Sequence, residues 1–498
     1  MTASAPPTRR IPVWLAILAA SLPMFMATLD NLVVTSALPV IHEDLGASVE
    51  DLQWITNAYT LAFAALMLLA VGIGDRFGRR HVFVVGIAIF TVASALCAVS
   101  GDPTALIAAR ALEGAGAAAI MPLSLTLLVG SVPDRARSLA IGVWGGVSGL
   151  GVALGPLIGG AVVEGWNWQA IFWLNVPVGV IAVPLALAAL PNALGARLRA
   201  DVIGVLLAGL GVLGIVFGVV RGNDAGWGSG QVVGALVAGA ALLAAFIVRE
   251  ARTSAPLLPL RLFRDRGFTL ANAVATAFSF GTFGAVFILI QFLQIVQGNT
   301  PLQAGVATMP WTLAPMVIAP LTGFIAPRVG TRALIVGGLV LLSAGLFEIA
   351  LTMSADVGYG VLLPGFLLAG VGMGLVFAPL STAVLASMPP EDHAKASGTN
   401  STLREIGIAL GIAVLTAVFT GAGGQLTPTG YVSAAQPAVV VGAGVVLLAA
   451  VLALFLPSGV LRRGAPTPGA ESALSTQAVL PDAAPAPAPG VGAPRRST

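Results

Sequence analysis

Charge is scarce in this chain. Of its 498 residues only 9% are Asp, Glu, Lys or Arg, against about 25% in an ordinary soluble domain. That deficit, together with 57% hydrophobic residues and a mean hydropathy of +0.96, excludes a soluble globular enzyme, a disordered protein and a nucleic-acid binder. The net charge of +3 is too small to hold a polyanion. Cysteine is nearly absent: Cys97 stands alone, so no internal disulfide forms. The histidines, His42, His81 and His393, fall near loops without ligand spacing, so no metal is expected. The chain also lacks a G-x4-G-K-[ST] segment, and no cofactor or direct use of ATP is expected. No run alternates as a barrel strand does. Glycine, by contrast, is plentiful at 61 residues, as in membrane helices that pack on small side chains.

A spanning helix needs about 20 apolar residues. Fourteen such runs lie near 12–39, 52–73, 82–100, 103–130, 137–162, 169–190, 203–221, 231–249, 268–296, 303–326, 332–353, 361–388, 397–421 and 436–457. The first run contains Asp30 and continues to Pro39, so it reads as a retained helix and not a cleaved signal. With fourteen spans, every basic residue except Arg110 and Arg221 falls on one side. Basic loops mark the cytoplasm, which puts both termini there and the protein in the cytoplasmic (inner) membrane. Trp54, Trp166, Trp168 and Trp227 sit at outer span ends, where Trp anchors at the interface.

The expected fold is therefore an all-α polytopic membrane protein with 14 transmembrane helices. They form two six-helix bundles, 12–190 and 268–457, around a central two-helix insert within 191–267. A short cytoplasmic N-terminus (1–11) and a Pro/Ala-rich, disordered tail (458–498) complete it. The loop after the second span, Gly74-Asp75-Arg76-Phe77-Gly78-Arg79-Arg80, is echoed after the tenth by Pro327-Arg328-Val329-Gly330-Thr331-Arg332. Equivalent basic loops in two bundles are the pattern of a duplicated transporter.

The fifth span carries Gly142, Gly151, Gly155, Pro156, Gly159 and Gly160, which fit G-x8-G-x3-G-P-x2-G-G at every fixed position. Such a stripe makes a bendable helix that approaches a neighbour closely. It resembles the antiporter motif of drug exporters of the major facilitator superfamily. The loop Asp75-Arg76-x-Gly78-Arg79-Arg80 resembles that superfamily's inner-loop signature, with Val71 where a Gly is usual. Arg110-x-x-Glu113-Gly114 is similar to its R-x-x-Q-G, with Glu for Gln. Leu29-Asp30-Asn31 through Pro39, Trp166 through Gly179, and Asn400, Arg404 and Gly407 resemble the fourteen-helix drug:proton antiporter branch. The resemblance covers about 12–457. It implies proton-coupled export of lipophilic small molecules by alternating access, through a monomer whose partners are substrate, protons and lipid, not nucleic acid.

Charge at membrane depth is costly and marks function by default. Asp30, Arg110 and Glu113 fall at similar depth, with Arg110 and Glu113 at i,i+3 on one helix face. An arginine between two carboxylates gives a proton-gated switch, and these three are expected to couple protons. Asp75, Arg76, Gly78, Arg79 and Arg80 are expected to lock an inner gate. Met26, Asn57, Tyr59, Phe287, Gln291, Trp311 and Glu348 are the candidates for the substrate cavity, whose apolar, aromatic and amide character suits lipophilic, often cationic compounds. Arg404 and Glu405 are expected as a pair at the cytoplasmic end of the thirteenth span. A dedicated exporter of one endogenous metabolite is the alternative function; a non-transporting sensor and a proton-driven importer fit the motifs less well.

Overall fold

Helices begin where short polar side chains can take up their free N–H groups. Ser48 and Asp51 form a reciprocal cap on α2 (Val49–Phe77), and Thr300 and Gln303 do the same on α11 (Pro301–Val329). Asp102 caps α4 (Pro103–Ser131), Asp201 caps α8 (Val202–Ala225), Ser229 caps α9 (Gly230–Arg252) and Asp265 caps α10 (Arg266–Gln291). The remaining helices are α1 (Val13–Leu45), α3 (Arg79–Ala98), α5 (Asp134–Gly165), α6 (Gln169–Trp173), α7 (Asn175–Ala189), α12 (Thr331–Thr352), α13 (Tyr359–Leu385), α14 (His393–Gly421) and α15 (Pro428–Ala453). This computed structural model describes residues 12–192, 201–253, 256, 258–386, 388–389 and 392–457. The expected cytoplasmic N-terminus and tail, and residues 193–200 of the linker, lie outside the described residues.

Among the described residues there is no strand. Twelve helical segments are long and apolar enough to cross a membrane, and up to fourteen if two bent pairs each count as one span. The pairs are Val49–Met67 with Leu69–Phe77, bent by 47°, and Val143–Gly151 with Leu154–Gly165, bent by 46°. The second bend falls within the glycine stripe, next to Pro156, where bending a helix costs least. The sixth expected span divides at Leu174 into α6 and α7, but Leu174 keeps helical angles, and Gln169–Ala189 counts as one span.

Helix pairing follows one scheme twice. α1 packs on α5 and α7, α4 on α2 and α3, and α3 on α7. Correspondingly, α10 packs on α14 and α15, α13 on α11 and α12, and α12 on α15. The two most extensive contacts that join the sets, α5 with α11 and α2 with α14, also exchange under the same correspondence. The echoed loops are built alike. Gly78 and Gly330 both turn the chain at positive φ, 106° and 93°. Arg80 then donates to the carbonyls of Leu187 and Leu190 beyond the turn, at 3.2 Å each. Arg332 donates likewise to Leu454 and Leu456, at 3.4 Å each. In both loops a guanidinium thus serves the free carbonyls of a helix end, where positive charge also meets the helix dipole.

α8 lies over the α2–α14 contact. Its Arg221 pairs with Glu50 at 3.0 Å, and its Asn223 donates to the Ala417 carbonyl and to Thr420 Oγ1. α9 packs on α8 and turns Val237, Ile247 and Val248 outward. This is the apolar, lipid-suited surface expected of the two helices that carry no mid-membrane charge.

The Gly78 turn generates a stability test. A Cβ there would stand 2.5 Å from Asn192 Oδ1 on a backbone that L side chains avoid. Gly78→Ala is expected to cost about 1–3 kcal/mol, read as a lower melting temperature in detergent. Gly130→Ala, in a helix with nothing within 4 Å of the added carbon, should be neutral or gain up to about 1 kcal/mol.

Candidate functional site

Two helices bring the mid-membrane charges together. Arg110 on α4 is fully buried, as are Glu113 one turn on and Asp30 on α1. A single guanidinium nitrogen, Arg110 Nη1, donates to Asp30 Oδ2 at 2.6 Å and to Glu113 Oε2 at 2.6 Å. Nε of the same residue donates to the Ile55 carbonyl of α2 at 3.3 Å. The Tyr59 ring lies 4.3 Å from the guanidinium carbon and the Phe172 ring 5.8 Å, so the cation is screened by aromatic faces as well as by carboxylates.

The carboxylates have further donors. Asn175 Nδ2 donates to Asp30 Oδ1 at 2.9 Å and also reaches Ser94 Oγ at 2.8 Å. Ser94 Oγ donates to Glu113 Oε1, and Cys97 Sγ lies 3.6 Å from Glu113 Oε2. The cluster therefore holds two acids and one base inside a shell of three neutral side chains. A buried charge network persists only when its members are paired in this way. The sequence analysis did not assign Asn175, Ser94 or Cys97 to this cluster. The signal available for Asn175 and Ser94 was a polar group inside an apolar run, which seldom faces lipid without need.

Asp30 sits in the part of α1 that receives the glycine stripe of α5. A Cβ on Gly151 would lie 3.1 Å from Thr28 Cβ, on Gly155 2.7 Å from Leu32 Cβ, and on Gly159 2.7 Å from the Val33 carbonyl oxygen. Gly160 faces the other way: its Cβ would stand 2.2 Å from the Pro301 carbonyl oxygen of α11. Gly305 of α11 returns the contact against the Pro156 carbonyl, at 2.5 Å. Gly142 lies further back in α5. The stripe thus closes α5 onto α1 along one edge and onto α11 along another. Close contacts at the same end reinforce it: Gln294 Nε2 donates to the Ser36 carbonyl at 3.0 Å, Ser36 Oγ to the Pro156 carbonyl, and the Leu302 amide to Glu164. Toward the arginine-rich end, Gly145, Gly146 and Gly149 of α5 meet nothing within 4 Å. Leu139 on α5 and Phe324 on α11 are exposed there. The seam is shut at one end and open at the other.

The remaining expected residues scatter. Asp75 takes a 2.6 Å ion pair from Arg79 of its own turn, and Arg76 lies over the Phe77 ring. In this conformation the loop bonds within its own set of helices. Met26, Phe287 and Gln291 are buried, with Gln291 Nε2 donating to the Phe287 carbonyl of its own helix. Asn57 is fully buried, and neither end of its amide has a partner among the described residues. Tyr59 belongs to the charge cluster, its hydroxyl donating to the Ala27 carbonyl at 3.1 Å. Trp311 of α11 packs near Phe366 of α13. Glu348 lies on α12 against Gly365 of α13, and α12 packs on α11, α13 and α15. Arg404 and Glu405 are neighbours on α14. α14 starts at His393, which sets them about 16–18 Å along it, in the middle of the helix.

Comparison with known proteins follows this geometry. A family model described as Major Facilitator Superfamily matches residues 20–412. The tetracenomycin C resistance and export protein of Streptomyces glaucescens is 35% identical over 428 residues, 86% of this chain and 79% of that protein. The multidrug resistance protein Stp of Mycobacterium tuberculosis (strain CDC 1551 / Oshkosh) is 34% identical over 406 residues, 81% of this chain and 75% of that protein. The crystal structure of the human organic anion transporter MFSD10 shares the fold, with a TM-score of 0.58 at 20% identity, covering 90% of this chain and all of that one.

The shared guanidinium makes a sharp prediction. Arg110→Leu leaves two carboxylates buried without their cation and is expected to cost about 3–5 kcal/mol. Adding Asp30→Asn and Glu113→Gln to Arg110→Leu should restore much of that loss, measured by thermal melting in detergent. Equal melting temperatures for the single and triple variants would show that the charges do not act as one unit.

Proposed function

Because the chain belongs to the Major Facilitator Superfamily, we propose that it exports lipophilic drugs or antibiotics in exchange for protons across the cytoplasmic membrane. The observation that carries this is Arg110 Nη1 held between Asp30 and Glu113 beside the stretch of α1 that meets α5. Full occupation of the guanidinium needs both acids ionised. A proton on either one removes half of its charge pairing, and the arginine then favours the remaining carboxylate. Asp30 moves with α1, and α1 bears on α5 through Gly151, Gly155 and Gly159. A shift of that helix is passed to the Gly160–Pro301 and Pro156–Gly305 contacts that close the seam. Close-packed interfaces of this kind have discrete arrangements and switch between them.

The reading takes each bent pair as one span, giving fourteen, with helices α1–α7 and α10–α15 as the two rocking units and α8–α9 between them. Both termini and the arginine-rich loops then face the cytoplasm, as the distribution of basic residues supports. On that orientation the open end of the seam admits substrate from the cell and the closed end bars the exterior. Asp75, Arg76, Gly78, Arg79 and Arg80 act at the open end, where the turn can bridge the two units once that end closes. Buried polar groups without partners, Asn57 first among them, supply the polar contacts of an otherwise apolar cavity with Met26, Phe287, Gln291 and Trp311; Glu348, on α12, is the most remote of the candidates. The protein works as a monomer, and its chemistry is movement and not catalysis. The tetracenomycin exporter among its relatives favours a second reading, a dedicated exporter of one antibiotic.

Inside-out vesicles provide the test. An acid lumen is expected to drive uptake of a lipophilic dye or antibiotic into vesicles carrying the wild type. Asp30→Asn should abolish that uptake while the protein remains folded and membrane-inserted. Uptake by Asp30→Asn at the wild-type rate would take Asp30 out of the mechanism.

A further inference from the structure

One face of α10 carries charge at its start and a groove beyond it. Residues 266, 269, 273, 276 and 280 follow one another at alternating steps of three and four, so they share one side of the helix. The first of them, Arg266, opens α10 and is exposed. The other four, Thr269, Ala273, Thr276 and Phe280, line a groove of about 430 Å³ with Leu403 of α14 and Val445 of α15. Such a volume suits a ligand, since small-molecule sites run from about 300 to 1,000 Å³. Its polar side chains are spent on backbone: Thr269 Oγ1 donates to the Phe263 carbonyl at 2.7 Å, and Thr276 Oγ1 to the Asn272 carbonyl at 2.9 Å. Thr269 and Ala273 are exposed, so the groove opens outward along α10. From Thr269 to Phe280 it runs about 16–17 Å along the helix. One leaflet of a bilayer contributes about 15 Å of hydrocarbon, so the groove is one acyl chain deep.

The mouth of the groove is basic. The bond from Thr269 to the Phe263 carbonyl fixes the next residue in the chain, Arg264, beside the groove's first wall residue. Arg264 and Arg266 are both exposed, and neither has an ion pair or hydrogen bond among the described residues. Arg261 of the same loop is already committed, gripping Asp392 with two nitrogens at 2.8 and 2.5 Å. Asp265 stands between Arg264 and Arg266 and caps α10 through the Phe268 amide at 2.7 Å. Lys395, one turn along α14 from Asp392, adds an exposed cation at that end of the helices. A trough one chain deep with guanidiniums at its mouth matches a molecule with a hydrocarbon chain and an anionic head. Arginine forks suit a phosphate, whose oxygens accept paired N–H bonds. A free anion would leave the groove empty, and an uncharged apolar guest would leave both arginines unmatched.

We propose that this groove holds an acyl chain of one anionic phospholipid, drawn from the leaflet on the side of the arginine-rich loops, with its phosphate at Arg264 and Arg266. The site is separate from the export cavity and does not depend on what is exported. The test is native mass spectrometry of the full chain purified in detergent, titrated with dioleoyl phosphatidylglycerol or with dioleoyl phosphatidylcholine, which share their chains and differ in net charge. Wild type is expected to retain one phosphatidylglycerol about tenfold or more tightly than phosphatidylcholine, at about fivefold for each arginine near the surface. Arg264→Gln with Arg266→Gln should remove most of that preference without changing the melting temperature in lipid-free detergent, and lysine at both positions should keep it. Ala273→Trp, which fills the groove, should weaken retention of both lipids. Glycerol 1-phosphate, a head without chains, should not displace the bound lipid. Equal retention of the two lipids by wild type, a preference that survives the paired glutamine substitutions, undiminished retention by folded Ala273→Trp, or displacement by glycerol 1-phosphate would each overturn the proposal. Protein dimers in place of lipid adducts, lost on Ala273→Trp, would give the groove to a second copy of the chain and overturn it as well.

Discussion

The structure turns on one nitrogen atom. Arg110 Nη1 is shared by Asp30 and Glu113 at 2.6 Å each, in a site closed to solvent. A charge triad of this sort is poorly suited to adding stability, because desolvation consumes most of what pairing returns. It is well suited to discrimination, because adding one proton changes the pairing rather than merely weakening it. The helices around it respond to that choice. Asp30 rides on α1, α1 receives three glycines of α5, and α5 closes on α11 through a fourth. Side chains at those glycines would hold the helices apart; their absence is what connects the triad to the seam.

The duplicated scheme makes the asymmetry between the halves informative. Loops and pairings repeat, down to a positive-φ glycine and an arginine serving the carbonyls of a helix end. The charge cluster does not. Asp75 has Pro327 at its equivalent in the second half. The buried charges of the first half bond one another directly, whereas Arg404 of the second half lies against the Phe377 ring. The ionic triad belongs to one half alone. Duplication supplied a symmetric frame, and a handful of ionisable residues divided its labour.

Much of this was legible in the sequence, for physical reasons that also explain what was not. Apolar runs of bilayer length and the one-sided arginines disclose the spans, because lipid leaves backbone few alternatives to helix. The joining of Asp30, Arg110 and Glu113 followed from depth alone. Boundaries were harder. Pro39 read as the end of the first span, yet α1 continues to Leu45, since a proline removes one backbone bond without forbidding the next turn. The thirteenth run was taken from 397, yet α14 begins four residues earlier, at His393, because polar side chains do not stop a helix that emerges from the apolar run. The convergence of Asn175, Ser94 and Cys97 on the triad was not legible, because side-chain convergence across four helices leaves no spacing in a single chain. Tyr59 was read as cavity lining, but its ring lies under Arg110.

The central claim is that protonation of the triad sets which end of the seam is open. The direct measurement is the distance between spin labels at Leu139 of α5 and Phe324 of α11, both exposed at the open end, in mildly acidic and mildly alkaline buffer. The account predicts that the distance distribution of the otherwise wild-type protein moves between a long and a short population with pH. In a protein carrying Asp30→Asn and Glu113→Gln it should be fixed. A distribution that ignores pH in the first protein, or still follows it in the second, would contradict the account.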